Sequence, residues 1–145
     1  MENIIGIDPG CNGSAVLIRA DGSVDCACFG KMTQADITET LAEWREGETV
    51  FAYIENVHSM PKQGVASSFK FGVGFGFLQG VLSAIKIPFE FVTPQTWQKA
   101  LSCQSKGDKN VTKQKAQQLF PNEKITHANA DGLLIAEYGR RKRLK

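Results

Sequence analysis

Three acidic residues sit where the chain passes from apolar to polar. Asp8 closes the run Asn3-Ile4-Ile5-Gly6-Ile7 and is followed by Pro9-Gly10, Glu55 closes the run Thr49 to Ile54, and Asp131 falls in the first turn of the last helical segment. A carboxylate carried to the edge of an apolar core needs a donor, a basic group or a cation, because an uncompensated buried charge is expensive. Neighbouring strand ends in one sheet can set their carboxylates within a few ångströms, and like charges that close require a compensating cation. Carboxylates, bound waters and a substrate phosphate are the ligands that Mg²⁺ and Mn²⁺ prefer. Two such ions can activate a water and stabilise the leaving oxygen in phosphodiester cleavage. Each acid alone also has a structural reading: Asp8 as the cap of a hairpin, Glu55 as a rim residue, Asp131 as an acid favoured at a helix N-terminus. It is the three together that point to metal-assisted hydrolysis.

The elements that must position these acids can be read from the periodicity. Strands are expected at 3–8, at Ser14 to Arg19 and, after the Asp21-Gly22 turn, at Ser23 to Phe29, which makes an antiparallel meander. Thr33 caps a helix that runs to about Glu46, with Ile37, Leu41 and Trp44 on one face and Gly47 ending it. A fourth strand covers Thr49 to Ile54, and a loop with Pro61 and Gly64 follows. From about Val65 to Lys86 the pattern is helical, with Phe69, Val73, Phe77, Val81 and Ile85 along one stripe. Gly72, Gly76 and Gly80 recur every four residues, although glycine in a helix costs about 1 kcal/mol against alanine. That spacing predicts the close approach of another backbone, either a sheet or the same helix of a partner subunit. The helix is therefore expected to be core on one side and a dimer interface on the other. A fifth strand at Pro88 to Val92 precedes a short helix from Thr93-Pro94 to Leu101, a helix from about Val111 to Phe120, and a last helix from about Ala128 to Arg141. Strands followed by helices in this order predict one α/β domain over residues 1–145 with a mixed sheet.

Composition bounds the function. The 145 residues are 42% hydrophobic and 22% charged, ordinary for a soluble domain, and no uninterrupted 18-residue apolar run or basic-then-apolar leader is present. The expectation is a cytoplasmic protein with no membrane partner. Cys11, Cys26, Cys28 and Cys103 lack paired metal spacing, and Cys26 and Cys28 are expected as a reduced, buried pair on one face of a strand. Net charge is +2, yet residues 1–90 hold 6 Lys/Arg against 11 Asp/Glu and residues 91–145 hold 11 against 4. Five of the last six residues are basic. This asymmetry suggests a polyanion met by the C-terminal part.

The strings IIGIDPGCNG, YIENVHSMP, FKFGVGFGFLQGVL, TPQTWQKAL and HANADGLLIAEYGRR, in that order, resemble the Holliday-junction resolvases of the RuvC type, and within them the phage-borne branch. These proteins belong to the ribonuclease H-like superfamily. The resemblance spans nearly the whole chain. It implies a five-stranded mixed sheet flanked by helices, a homodimer paired through the 65–86 helix, and Mg²⁺- or Mn²⁺-dependent paired nicking of four-way DNA junctions. By position, Asp8, Glu55 and Asp131 match the family's metal-binding acids. The family's fourth ligand, Asp or His just before the last acid, corresponds here to His127, with Asn129 as the weaker alternative and Ala128 unable to coordinate. A neutral imidazole at that point suits Mn²⁺. Lys99 and Lys113 resemble lysines that face the active site and join the candidate catalytic set. His58 lies in the loop where relatives carry an aromatic that probes the junction, and an imidazole can stack on a base. Lys62, Lys106 and Lys109 are candidate phosphate contacts.

Two other readings stand beside a resolvase. The same fold could cut other branched DNA, such as forks or flaps, and a junction-binding protein without catalysis would share the architecture. Three acids plus a histidine argue against the second. A sugar-kinase or actin-like ATPase also starts with a strand ending in Asp-x-Gly, but 145 residues are too few for its two lobes.

Overall fold

A computed structural model describes residues 2–57 and 63–145. Its centre is β1 (Asn3–Asp8), buried along its length except at Asp8. β2 (Ser14–Ile18) and β3 (Val24–Cys28) return antiparallel to it on one side, while β4 (Val50–Glu55) and β5 (Phe89–Val92) run parallel to it on the other. The spatial order β3-β2-β1-β4-β5 is the expected five-stranded mixed sheet. β1, β2 and β4 are almost wholly buried, as inner strands covered on both faces must be.

On one face lie α1 (Gln34–Arg45) and α2 (Val65–Ala84). The capping box between Thr33 and Asp36 starts α1, and Ile37 and Leu41 pack with Ile5, Ile7, Leu17, Ile54, Leu78 and Leu82. The other face carries α3 (Pro94–Ala100), α4 (Lys109–Leu119) and α5 (Ala130–Arg143). Here Val16, Ile18 and Tyr53 meet Trp97, Leu101, Ala116, Leu133 and Leu134.

α5 lies directly on β1 because glycines remove what would separate them. A Cβ at Gly6 would stand 2.2 Å from the Ala136 nitrogen and 2.3 Å from the Gly132 oxygen, and one at Gly139 would stand 2.5 Å from the Tyr53 ring. Only hydrogen fits at such contacts. Leu133, Leu134 and Ile135 are completely buried, and each such side chain contributes roughly 2 kcal/mol of hydrophobic stabilisation. The start of α5, and Asp131 with it, is thereby fixed above the end of β1.

Several expectations need correction. The stripe on α2 is core only in its second half: Val81 is buried and Phe77 and Ile85 half-buried, whereas Phe69 and Val73 are 73% and 51% exposed, and the other buried residues of the helix, Leu78 and Leu82, lie beside the stripe. Among the described residues nothing lies within 4 Å of a Cβ built at Gly72, Gly76 or Gly80, so no described backbone of the same chain approaches there. α2 is also the described helix that is long and apolar enough by composition to cross a membrane, with mean hydropathy 1.3, although Ser67, Ser68, Lys70, Gln79 and Ser83 interrupt it. Cys26 and Cys28 are exposed rather than buried, because β3 is an edge strand. α4 starts at Lys109, where Asp108 accepts from the Asn110 N–H, and α5 starts at Ala130.

The basic tail is largely committed to the protein itself. Arg140 and Arg141 pair with buried Glu137 at 2.8 and 2.7 Å, Lys142 pairs with Glu90 at 3.7 Å, and Arg143 pairs with Glu2 while stacking 3.9 Å from the Phe51 ring centre. Arg141 also lies about 15 Å along α5 from Asp131, at 1.5 Å per residue. The tail is a fastening between α5 and the sheet, and the basic surface that concerns the acids lies elsewhere.

Candidate active site at the ends of β1 and β4

The parallel register that pairs Ile7 with Ile54 sets Asp8 and Glu55 next to one another at the carboxyl ends of two central strands. Ligand sites in α/β sheets gather at that edge. The turn after Asp8 folds back tightly, with the Gly13 N–H donating to the Gly10 oxygen at 2.8 Å. A Cβ at Gly13 would stand 2.2 Å from the Asp8 backbone oxygen and 3.0 Å from its carboxyl carbon, so the turn packs closely on Asp8. Asp131 comes from above, in the first turn of α5. Glu55 and Asp131 are buried and Asp8 is half-buried.

Two further residues complete the arrangement. Thr93 caps α3, Pro94 occupies its first turn, and the helix brings fully buried Trp97 under Glu55. The Trp97 indole N–H donates to Glu55 Oε2 at 2.7 Å. From the first residue of α4, the Lys109 ammonium donates to Asp131 Oδ2 at 3.2 Å.

The electrostatics record three acids in one place. Burial pushes the Glu55 carboxyl up to about 7, with Asp8 and Asp131 adding to the rise and the Trp97 hydrogen bond opposing it. Asp8 is also held above its ordinary value, first by burial and then by Asp131, against the Gly10 N–H and Lys109. Burial works against a charge on Lys109. Attraction and hydrogen bonding to Asp131, with help from Asp8 and Glu55, prevail and hold its pKa high. The three acids and Lys109 therefore form one coupled group.

This donor set suits a hard divalent cation. It is all oxygen, its acids repel one another, and Asp131 Oδ1 is buried with no hydrogen-bond partner among the described residues. As they stand, no three His, Cys, Asp or Glu side chains among the described residues form a group that could hold an ion. Lys109 now supplies part of the positive charge.

Beside the acids opens a cleft of about 690 Å³, whose lining includes Glu55, Asp131, Lys99, Lys106 and Lys109. The structure thus brings together six sequence-predicted residues: Asp8, Glu55, Asp131, Lys99, Lys106 and Lys109. Lys106 is presented by a turn in which its φ is +50°. Lys109, a phosphate candidate by sequence, is seated on Asp131. Lys113, half-buried one helical turn after Lys109, does not line the cleft.

His127 is exposed in the turn before α5, and it enters none of the interactions that couple Asp8, Glu55, Asp131 and Lys109. Asn129, the alternative ligand, is buried and its amide is engaged within the turn. Its Oδ1 accepts from the Thr126 N–H at 2.9 Å and its Nδ2 donates to the Lys124 oxygen at 2.9 Å, so its amide holds the turn together. His58 and Lys62 lie outside the described residues.

Sequence reasoning missed Trp97 as part of the site. The available signal was general: a buried indole N–H needs an acceptor. It also missed Ser14, which the register sets opposite Asp8 and whose buried Oγ has no partner among the described residues.

No family model and no curated protein sequence matches this chain. Solved structures do. The chain is similar to Thermus thermophilus RuvC in complex with a Holliday junction substrate, with a TM-score of 0.69 and 15% identity over 97% of this chain and 96% of that one. A second Thermus thermophilus RuvC structure gives a TM-score of 0.65 and 17% identity, again over 97% and 96%. The yeast mitochondrial Holliday junction resolvase gives 0.51 and 15%, over 99% of this chain and 79% of that one. At such identities the likeness establishes the fold, which is the ribonuclease H-like α/β fold that the sequence motifs resemble.

Proposed function

We propose that this protein is a divalent-cation-dependent endonuclease that resolves four-way DNA junctions by paired phosphodiester hydrolysis, as a RuvC-type enzyme of the phage-like branch. The observation that carries the reading is the convergence of Asp8, Glu55 and Asp131, each from a different element, beside a cleft lined by three lysines. The fold shared with RuvC and with a yeast junction resolvase supports the choice of substrate.

Asp8, Glu55 and Asp131 would hold one or two Mg²⁺ or Mn²⁺ ions, with His127 as a further ligand. The chemistry such ions supply when bound is activation of a water and stabilisation of charge on the leaving oxygen. The chain's own residues do the rest. Lys99 and Lys106 draw the phosphate backbone into the cleft, and Lys113 adds positive charge behind them. Lys109 offsets the acids until substrate and cations arrive, then passes from Asp131 to a phosphate. Trp97 keeps Glu55 in place throughout. His58 and Lys62 contact DNA from the loop after β4.

Two nicks placed symmetrically on a junction call for two sites related by a two-fold axis. The half of α2 that carries Val65, Phe69 and Val73 is exposed and apolar, and it supports pairing with a second copy. Gly72, Gly76 and Gly80, with nothing close to them among the described residues, would let the partner's helix come close. The protein then works in the cytoplasm without a membrane partner, as a single domain over residues 1–145.

The test is a cleavage panel on four-way junctions, forks and flaps with Mg²⁺, Mn²⁺ and a chelator. Paired, metal-dependent nicks confined to the junction are expected. Equal or better cutting of forks or flaps would replace junction resolution with a broader branched-DNA nuclease. Binding without cutting under every metal condition would leave a junction-binding protein.

A further inference from the structure

The contact between Trp97 and Glu55 is unusual in its economy. Trp97 is completely buried and has one donor, and that donor points at a carboxylate oxygen 2.7 Å away. Trp97 also sits in a short helix fixed at its start by the Thr93 cap and Pro94, so neither ring nor N–H can follow Glu55 if the carboxylate turns. Glu55 is itself fixed by β4, whose Glu55 pairs with Val92 of β5. The two oxygens of one carboxylate are thereby made unequal. Oε2 is occupied by the indole, while Oε1 makes no hydrogen bond among the described residues, on a side chain that lines the cleft.

We infer that Trp97 makes Glu55 a one-oxygen ligand and so sets which cation the site accepts. Mg²⁺ demands near-ideal octahedral geometry at about 2.0–2.1 Å and takes carboxylates through single oxygens, whereas Ca²⁺ takes 6–8 ligands at about 2.3–2.6 Å and readily accepts both oxygens of one carboxylate. A Glu55 whose second oxygen is held by an indole is fit for the first and poor for the second. Partners that orient metal ligands in this way typically matter by about 10- to 100-fold in metal affinity. Trp97 is thus a positioning residue that never touches the ion or the substrate. The inference rests on the proposed cation site and specifies how that site discriminates.

The test is titration calorimetry of Mg²⁺ and of Ca²⁺ with wild type, Trp97→Phe and Glu55→Gln in the absence of DNA. Trp97→Phe keeps an aromatic ring in the core and removes the donor. It should weaken Mg²⁺ and strengthen or spare Ca²⁺, changing the ratio of their affinities by roughly tenfold or more. A loss of both ions in equal proportion would mark Trp97 as mere packing and overturn the inference. Binding by wild type that Glu55→Gln abolishes shows the site to be real. Absence of any such binding would overturn the site and the inference together.

A measurement on the unaltered protein keeps the matter decidable if Trp97→Phe folds poorly. The chain has two tryptophans, and the indole N–H signals of Trp44 and Trp97 can be followed by NMR during a Mg²⁺ titration. The Trp97 signal should stay hydrogen-bonded and protected from exchange at saturating Mg²⁺, with Trp44 as the internal reference. Loss of that protection would mean that Glu55 turns both oxygens to the ion, which contradicts the inference.

Discussion

Replacing Glu55 by Gln should make the metal-free protein more stable while it removes the nuclease. Glu55 is 8% exposed, and burial with two acidic neighbours raises its carboxyl from 4.5 to about 7. The folded-state value lies above the unfolded one, so the folded protein holds the proton more tightly. The stability this confers is complete below pH 4.5 and is lost as pH rises through about 7. Above that, the folded state carries an ionised carboxylate at a cost of roughly 3 kcal/mol, from a gap of about 2.5 units at 1.36 kcal/mol each. Gln has no charge to bury, and its side-chain oxygen still accepts from Trp97. In a chelating buffer at pH 8, Glu55→Gln should therefore be more stable than wild type by about 3 kcal/mol, falling to about 1 kcal/mol at pH 5.5. For a domain of this size, that corresponds to a rise in Tm of roughly 10 °C at pH 8. Denaturant unfolding at the two pH values is the assay. A variant that is less stable than wild type at pH 8, or shifted equally at both, would refute the idea that Glu55 is held against its own charge.

Other consequences are as specific. Phe69→Asp, on the exposed half of α2, should convert a dimer into a folded monomer by light scattering and lose paired nicking; an unchanged dimer would remove α2 from the interface. His127→Ala should leave Tm unaltered, because the side chain is exposed, yet weaken Mn²⁺ binding; normal Mn²⁺ affinity would dismiss it as a ligand. Asn129→Ala should show the opposite pattern, losing about 1–3 kcal/mol of stability because it strips partners from the Thr126 N–H and the Lys124 oxygen, with little change in metal affinity. Gly6→Ala should fail to fold to the native state, judged by circular dichroism and solubility, since its methyl would stand 2.2 Å from the Ala136 nitrogen; a native-like Tm would contradict the seating of α5.

The acids were legible because an apolar strand fixes its own end. Once Ile4, Ile5 and Ile7 are core, Asp8 can only be at the rim, and the same logic holds for Glu55 after Ile54. Periodicity could not say how far a neighbouring element reaches. The Phe69–Ile85 stripe therefore gave no sign that only Phe77, Val81 and Ile85 would be covered, or that Leu78 and Leu82 beside it would be buried. A repeat within one helix, Gly72-Gly76-Gly80, was conspicuous, while the contact that sets α5 on the sheet uses Gly6, Gly132 and Gly139, from two distant segments with no common period. Long-range pairing was equally invisible. The basic tail gave no sign that Glu2, Glu90 and Glu137 would be its partners. Lys109 could be placed near phosphates by type, but its seat on Asp131 depends on how α4 and α5 meet. Cys26 and Cys28 were assigned to one face of a strand, and only the strand order shows that strand to be an edge.

The central claim is that Asp8, Glu55 and Asp131 carry chemistry rather than fold or affinity. It is tested most directly by measuring, on one labelled four-way junction, both binding and Mg²⁺-dependent cleavage for wild type and Asp8→Asn. The account predicts that Asp8→Asn binds at least as tightly as wild type, since a negative charge near the phosphates is gone, and cuts neither strand. An Asp8→Asn protein that cleaves the junction at the wild-type rate would contradict it.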